Sequence, residues 1–347
     1  MKRAARRKGD AKMRKALWIA ICACAALAAP LAPARAQSTP GDDKPLVAVN
    51  SVLLWPNGAP GALTGGGAQD APSLDIYVPA ANPTHTGVII CPGGGYSHLS
   101  LVKEGSDEAA WLNARGVAGF VLHYRLGPRY HYPAQFDDIT RAMRYVRANA
   151  ASLGIDPQHI GVWGFSAGGH MAAMISTHYD AGHADSADAI ERVSSRPNFS
   201  ILCYPVISMK KEITHAGSLL NLLGPDPDPK LVALLSNEDQ VTADTPPAFL
   251  YQTANDQAVP VINSVLYFEA LRKAGVSAEL HIFENGPHGT GLGQNIRGIP
   301  ALAEWPTLLA NWMQANGWES IQGAWMAGGT AAAAPSAAVP ATATGKP

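Results

Sequence analysis

The sequence predicts an α/β fold with a mostly parallel central sheet flanked by helices, and three observations predict it. From Gly87 onward, short continuous apolar runs alternate with helical stretches. One of those runs passes through a serine crowded by glycines, "GVWGFSAGGH" (161–170), straight into an apolar helical pattern. The last run is followed directly by a glycine loop that carries a histidine, "ENGPHGTGL" (284–292).

Taken in order, "VLLWP" (52–56) and "SLDIYVP" (73–79) read as short strands able to form an antiparallel hairpin at a sheet edge. The runs "GVIIC" (87–91), "VAGFVLH" (117–123), "HIGVWG" (159–164), "FSILC" (199–203), "AFLYQT" (248–253) and "AELHIF" (278–283) then supply the core strands. Their unbroken apolar character suits strands buried on both faces, which a parallel sheet with helical crossovers requires. Between them, Ser106 precedes Asp107 and Glu108 as the expected cap of a helix that Gly116 closes. In the next helix Ile139, Ala142, Met143, Val146 and Ala150 recur at helical spacing and make one buried stripe. The more than forty residues between Cys203 and Ala248 hold "LLNLLG" and "PDPDPKLVALLS", small helices about a Pro/Asp turn that read as a lid-like insertion, about 208–245. The irregular stretch 178–197 is expected to help this insertion shape the entrance to a site.

The ends read differently. Residues 1–36 run from a basic start through an apolar segment (16–29) to Ala34-Arg-Ala36, the pattern of a signal peptide cleaved after about Ala36. Met13 heads a more usual n-region than Met1. The apolar segment is too short to span a bilayer, and Cys22 and Cys24 make a poor lipid acceptor, so a periplasmic or secreted protein without a membrane anchor is expected. Residues 37–69 form an extension with edge strands and 70–322 the catalytic domain. The stretch 323–347, mostly Ala, Gly, Pro and Thr, reads as a disordered tail. Nine of the 26 basic residues but one of the 27 acidic residues lie in 1–36, which leaves 17 against 26, a net −9, on the remainder. A chain of that charge repels phosphate backbones and anionic lipid, so nucleic acid is excluded as a partner. The sequence carries no signal that sets an oligomeric state.

Gly164, Ser166 and Gly168 match G-x-S-x-G, in which small neighbours let a strained strand-to-helix turn lift the serine hydroxyl clear of the backbone. A serine is a poor nucleophile unless an imidazole takes its proton and a carboxylate orients that imidazole. His288, in its glycine loop, is the candidate base. Asp256, in "TANDQAVP", stands 90 residues after the serine and 32 before the histidine, in the order this fold uses. Asp244 and Glu284 compete for its role. The loop "CPGGGY" (91–96) follows the first core strand and offers backbone N–H groups, so Gly94 and Gly95 with the N–H of Ala167 are assigned to an oxyanion hole. Such chemistry needs neither cofactor nor metal. His178, Asp180, His183 and Asp185 are metal-ligand types without the surrounding signals of a metal site. Arg125 is expected to pair internally with Asp137 or Asp138. Tyr96 and His98 are candidate substrate contacts, although residues so placed more often pack.

The blocks "SLDIYVP", "CPGGGYSHLSLVKEG", "VAGFVLHYRLGP", "FDDITRAMRYVRANAASLGIDPQHIGVWGFSAGGHMAA", "LCYPVIS" and "GPHGTGL" resemble the α/β-hydrolase esterases grouped with acetylxylan and bifunctional acetylxylan/feruloyl esterases, over roughly residues 70–295. The resemblance implies Ser166, Asp256 and His288 as the triad and hydrolysis of short acyl, above all acetyl, esters of a carbohydrate such as xylan. It departs from the H-G-G-G esterases in having Pro92 where their histidine stands. The alternatives are another small-acyl hydrolase, an arylformamidase or short-chain lipid esterase, and a non-catalytic binding protein of the same fold. In the sheet order the resemblance implies, the Ser166 strand lies between those ending at Cys91 and Cys203, so both thiols are expected to be free.

Overall fold

A computed structural model describes residues 50–320 of the chain, all within the unit that runs from Pro45 to Pro347. The expected signal peptide and tail lie outside the described residues. Among the described residues eight strands make one sheet: β1 (Asn50–Leu53), β2 (Ser73–Tyr77), β3 (Gly87–Cys91), β4 (Ala118–His123), β5 (Ile160–Phe165), β6 (Phe199–Cys203), β7 (Ala248–Thr253) and β8 (Ala278–Phe283). Their order is β1-β2-β4-β3-β5-β6-β7-β8. β1 and β2 pair antiparallel at one edge, β2 runs antiparallel to β4, and every pairing from β4 to β8 is parallel. This is the α/β-hydrolase architecture.

Every residue of β3, β5, β6 and β7 is buried, as unbroken apolar runs require when helices cover both faces. β8 differs. Its residues are all at least partly exposed, because it is the last strand of the sheet and pairs on one side only. Side chains alternate between two cores. On one face Ile89, Cys91 and Leu202 pack with Met143, Val146 and Met171 from α2 (Ala134–Ala148) and α3 (Ala167–His178). On the other, Val88, Ile90, Trp163 and Phe249 pack with Trp111 of α1 (Asp107–Asn113) and Trp305 of a C-terminal helix spanning Trp305–Ala315. Cys91 and Cys203 are buried free thiols in these two different cores, with β5 between their strands. Strands two apart are about 10 Å from each other, and a disulfide needs Cα atoms within roughly 7 Å.

The stripe on α2 is buried as its spacing requires. Arg125 pairs with Asp138, the first of its contacts being Nη2 to Oδ1 at 2.7 Å, while Asp137 takes no part in the pair. Two expectations are corrected. Ser106 does not cap α1: it has helical dihedrals and no capping hydrogen bond, because a turn of π type over Val102–Ser106 leads into the helix. The stretch 178–197 does not shape the site entrance either. Its Asp188 and Glu191 pair with Arg141 of α2 at 2.7 and 2.6 Å, and Asp180 and Glu191 pair with Arg144, so the segment is drawn onto the back of that helix. His178 hydrogen-bonds to the carbonyls of Met174 and Leu234. Among the described residues no helix is long and apolar enough to cross a membrane.

Candidate active site

Three chain segments meet at the carboxyl ends of the central strands. Ser166 sits between the last residue of β5 and the first of α3 with φ 53° and ψ −116°, a conformation few side-chain-bearing residues adopt. The turn is held from both sides, since the Ser166 N–H donates to the Cys203 carbonyl (3.1 Å) and the Ser166 carbonyl accepts from Val206 N–H (3.0 Å). Its glycines are required by crowding. A Cβ on Gly164 would lie 2.2 Å from the Gly168 carbonyl, and one on Gly168 would lie 2.0 Å from that of Cys91. Strain of this type costs about 1–3 kcal/mol. Burial of one large apolar side chain contributes about 1.5–3 kcal/mol, and Val162, Trp163 and Phe165 of β5 are all fully buried, so the strand outweighs the strain of its own end.

His288 follows β8 and Asp256 follows β7, and the structure brings both to Ser166. The His288 Nε2 lies 2.8 Å from Ser166 Oγ, and its Nδ1 lies 2.7 Å from Asp256 Oδ2. A carboxylate only accepts, so Nδ1 carries the proton and Nε2 faces the serine as acceptor. The other Asp256 oxygen accepts from the N–H groups of Ala258 (2.9 Å) and Val259 (3.0 Å), which fixes the carboxylate in its turn. Burial opposes ionisation of Asp256, but the His288 hydrogen bond and charge and these two N–H groups hold its carboxyl below the usual range. Asp244 and Glu284 are exposed, and neither is hydrogen-bonded to His288, whose partners are Asp256 and Ser166.

Gly94 and Gly95 face the serine from the loop after β3. Gly94 has φ 133°, and a Cβ there would lie 2.0 Å from the His98 carbonyl, so only glycine fits. Among the described residues the N–H groups of Gly94, Gly95 and Ala167 have no protein acceptor. Ala167 opens α3, where the helix dipole also favours an anion. The cleft in front of Ser166 encloses about 390 Å³. Polar side chains stand along it, His98, Lys103, Glu104, His215 and Asn221 among them. Tyr96 is not there, which corrects its candidacy as a substrate contact. It is fully buried, with its hydroxyl 2.9 Å from His170 Nδ1 and its ring edge-on to Tyr124.

His215 and Asn221 come from the insertion between β6 and β7, where α4 (Ala216–Leu223) and α5 (Pro229–Leu234) lie. His215 caps α4 by accepting the Ser218 N–H on Nδ1 (3.2 Å), and Asn221 Nδ2 donates to the Gly95 carbonyl (2.8 Å), which ties this helix to the glycine loop. Burial and the nearby charge of His288 hold the His215 imidazole below its ordinary pKa. Neither residue announces itself in the sequence, because the insertion has no motif and only its docking places them. Glu104 is likewise unmarked, though it lies in a quoted block.

Fold and site together define an α/β-hydrolase with a serine, histidine and aspartate in hydrogen-bonded series. The chain belongs to the BD-FAE family, whose model matches residues 74–271. It is 40% identical over 216 residues to an acetylxylan esterase of Xylanibacter ruminicola, covering 61% of this chain and 42% of that protein. It is 35% identical over 221 residues to endo-1,4-beta-xylanase B of Butyrivibrio fibrisolvens, covering 63% of this chain and 34% of that one. The chain thus spans less than half the length of these two relatives. Among solved structures it resembles the acetyl ester-xyloside bifunctional hydrolase from Caldicellulosiruptor lactoaceticus, with a TM-score of 0.73 and 42% identity over 79% of this chain and 98% of that one.

Proposed function

We propose that the protein is an exported serine esterase that removes short acyl groups, chiefly acetyl, from carbohydrate hydroxyls. The observation that carries this is the chain of hydrogen bonds from Asp256 through His288 to a strained Ser166 that opens on a polar cleft. In the proposed reaction Ser166 Oγ attacks the ester carbonyl and passes its proton to His288 Nε2, while Asp256 stabilises the imidazolium. The N–H groups of Gly94, Gly95 and Ala167 receive the developing oxyanion. His288 then protonates the departing sugar oxygen, and water, activated by the same imidazole, releases the acid from the acyl-enzyme.

The imidazole, ammonium and amide groups along the cleft support a hydroxyl-rich alcohol over a lipid, because facing a hydrocarbon chain they would lose their hydration without replacement. The leader pattern of residues 1–36 supports export, and the xylan-related names of the relatives support the sugar. A panel of p-nitrophenyl esters of rising chain length should show turnover falling steeply beyond acetate and propionate, and acetylated xylo-oligosaccharides should release acetate. Preference for longer acyl chains, with no acetate released, would overturn the reading in favour of a lipid esterase.

A further inference from the structure

We propose that Glu104 is a positioning residue of the reaction, a buried carboxylate that locks the glycine loop and the histidine loop to each other across the nucleophile. The proposal rests on the reading of Ser166 as the nucleophile.

Glu104 is 4% exposed, and each of its oxygens is committed to a different loop. Oε2 accepts the N–H of Gly93 at 2.9 Å, immediately before the two glycines assigned to the oxyanion. Oε1 accepts the hydroxyl of Tyr204 at 2.8 Å. The Tyr204 oxygen in turn accepts the N–H of Gly291 at 2.9 Å, in the loop that carries His288, and its ring stands edge-on to the His288 ring at 5.1 Å. One carboxylate therefore joins the loops that follow β3, β6 and β8. Because the Tyr204 oxygen already takes the Gly291 N–H, its own proton is free for Glu104, and both carboxylate oxygens act as acceptors.

The fit at Gly93 is close. A Cβ there would lie 2.6 Å from Glu104 Oε2 and 3.0 Å from the Ser166 Cβ, so only a bare backbone separates this carboxylate from the nucleophile. The inward aim of Glu104 has a local cause. In the π-type turn Val102–Ser106 the Ser106 N–H reaches back five residues to Leu101, and Glu104 takes non-helical dihedrals (φ −129°, ψ 28°). Turns of this kind recur at functional sites.

Burial pushes the Glu104 carboxyl above its usual range, against the pull of Tyr204 and Gly93. A carboxylate kept at that desolvation cost is more than filler. Glu108, buried one turn further on, has no hydrogen-bond partner for either oxygen, so the donors at this site serve Glu104 alone.

A fluorophosphonate probe tests this without presuming the natural ester, since Ser166 Oγ displaces fluoride at phosphorus and its proton passes to His288. Glu104→Gln keeps the size and an acceptor for Gly93 but cannot accept from both loops, and Tyr204→Phe removes the bridging hydroxyl. The maximal labelling rate of each should fall about tenfold to a hundredfold, as loss of alignment does, with half-saturation changing far less than the rate, because the loss lies in alignment more than in ground-state binding. The double variant should be no slower than the slower single one, because the two changes break one chain of bonds. Wild-type labelling in Glu104→Gln overturns the proposal, as do losses that multiply in the double variant or disappear once melting temperatures are matched. If Glu104→Gln shows no cooperative melt, Tyr204→Phe decides alone, and an unchanged rate there overturns the proposal. Wild-type protein that takes the label but releases no acetate refutes the substrate reading and leaves this one intact; protein that takes no label at Ser166 refutes both.

Discussion

Two members of the hydrogen-bonded trio answer to different substitutions. Ser166→Ala should lower kcat by roughly 10⁴-fold or more in a folded protein, leaving the residual rate that backbone donors and binding supply. Asp256→Asn should cost about 10⁴-fold, because an amide holds the wrong imidazole tautomer. Asp244→Asn and Glu284→Gln should leave ester hydrolysis near wild type, since both carboxylates are exposed and neither is bonded to His288. Initial rates on p-nitrophenyl acetate check all four. A subtler test uses the backbone strain at φ 53°. Ser166→Gly relieves what Ser166→Ala does not, so the glycine variant should melt above the alanine one, by about 2–4 °C for each kcal/mol relieved. Differential scanning calorimetry of the two inactive proteins would read that difference.

At the scale of elements, the glycine loop is held as firmly as the helices. Gly94→Ala would drive a methyl group into the His98 carbonyl at a φ of 133°. The loop must move, and kcat should fall by about 10²–10³-fold, the cost of losing an oxyanion donor, while the fold survives because Gly94 itself lies outside both cores. Circular dichroism with kinetics separates the two effects. The strands themselves are legible in the sequence: Gly87–Cys91, Phe199–Cys203, Ala248–Thr253 and Ala278–Phe283 end where their apolar runs end. In the first three, burial on both faces keeps the run apolar almost throughout, and the run marks the limits. The trio is legible too, through glycine spacing and chain order. Glu104, Tyr204, His215 and Asn221 are not. Whether a side chain beside a π-type turn or in an inserted helix faces the cleft depends on contacts remote in sequence, which no local pattern records. The same reason hides the attachment of 178–197 to α2, where acidic residues in an irregular segment find Arg141 and Arg144 only after folding.

For the whole molecule, one buried imidazole sets part of the response to acid. His170 lies in α3, fully buried, with Nε2 2.8 Å from the Leu235 carbonyl and Nδ1 2.9 Å from the Tyr96 hydroxyl. Burial lowers its pKa from 6.5 to about 4. A depressed folded-state pKa means that the unfolded chain binds this proton first, so the contribution is complete above pH 6.5 and is lost as the pH falls toward 4. One such proton gives a slope of up to about 1.4 kcal/mol per pH unit. His170→Gln can donate to Leu235 and accept from Tyr96 but cannot titrate, so urea unfolding between pH 6.5 and 4 should lose that slope in the variant.

The bare-backbone contacts of Gly164 and Gly168 reach beyond geometry. Active-site segments are usually drawn from the parts of a protein that open most easily. Here Ser166 stands on backbone pressed against backbone at the middle of the sheet, with β5 hydrogen-bonded on both sides and α3 lying directly over it. The amide hydrogens of β5 and of α3 beyond its first turn are paired within the fold and should exchange only when the entire unit opens. The placement of Ser166 is then insensitive to the breathing of loops around it, and on heating the protein should hold that placement until the temperature at which the fold itself gives way.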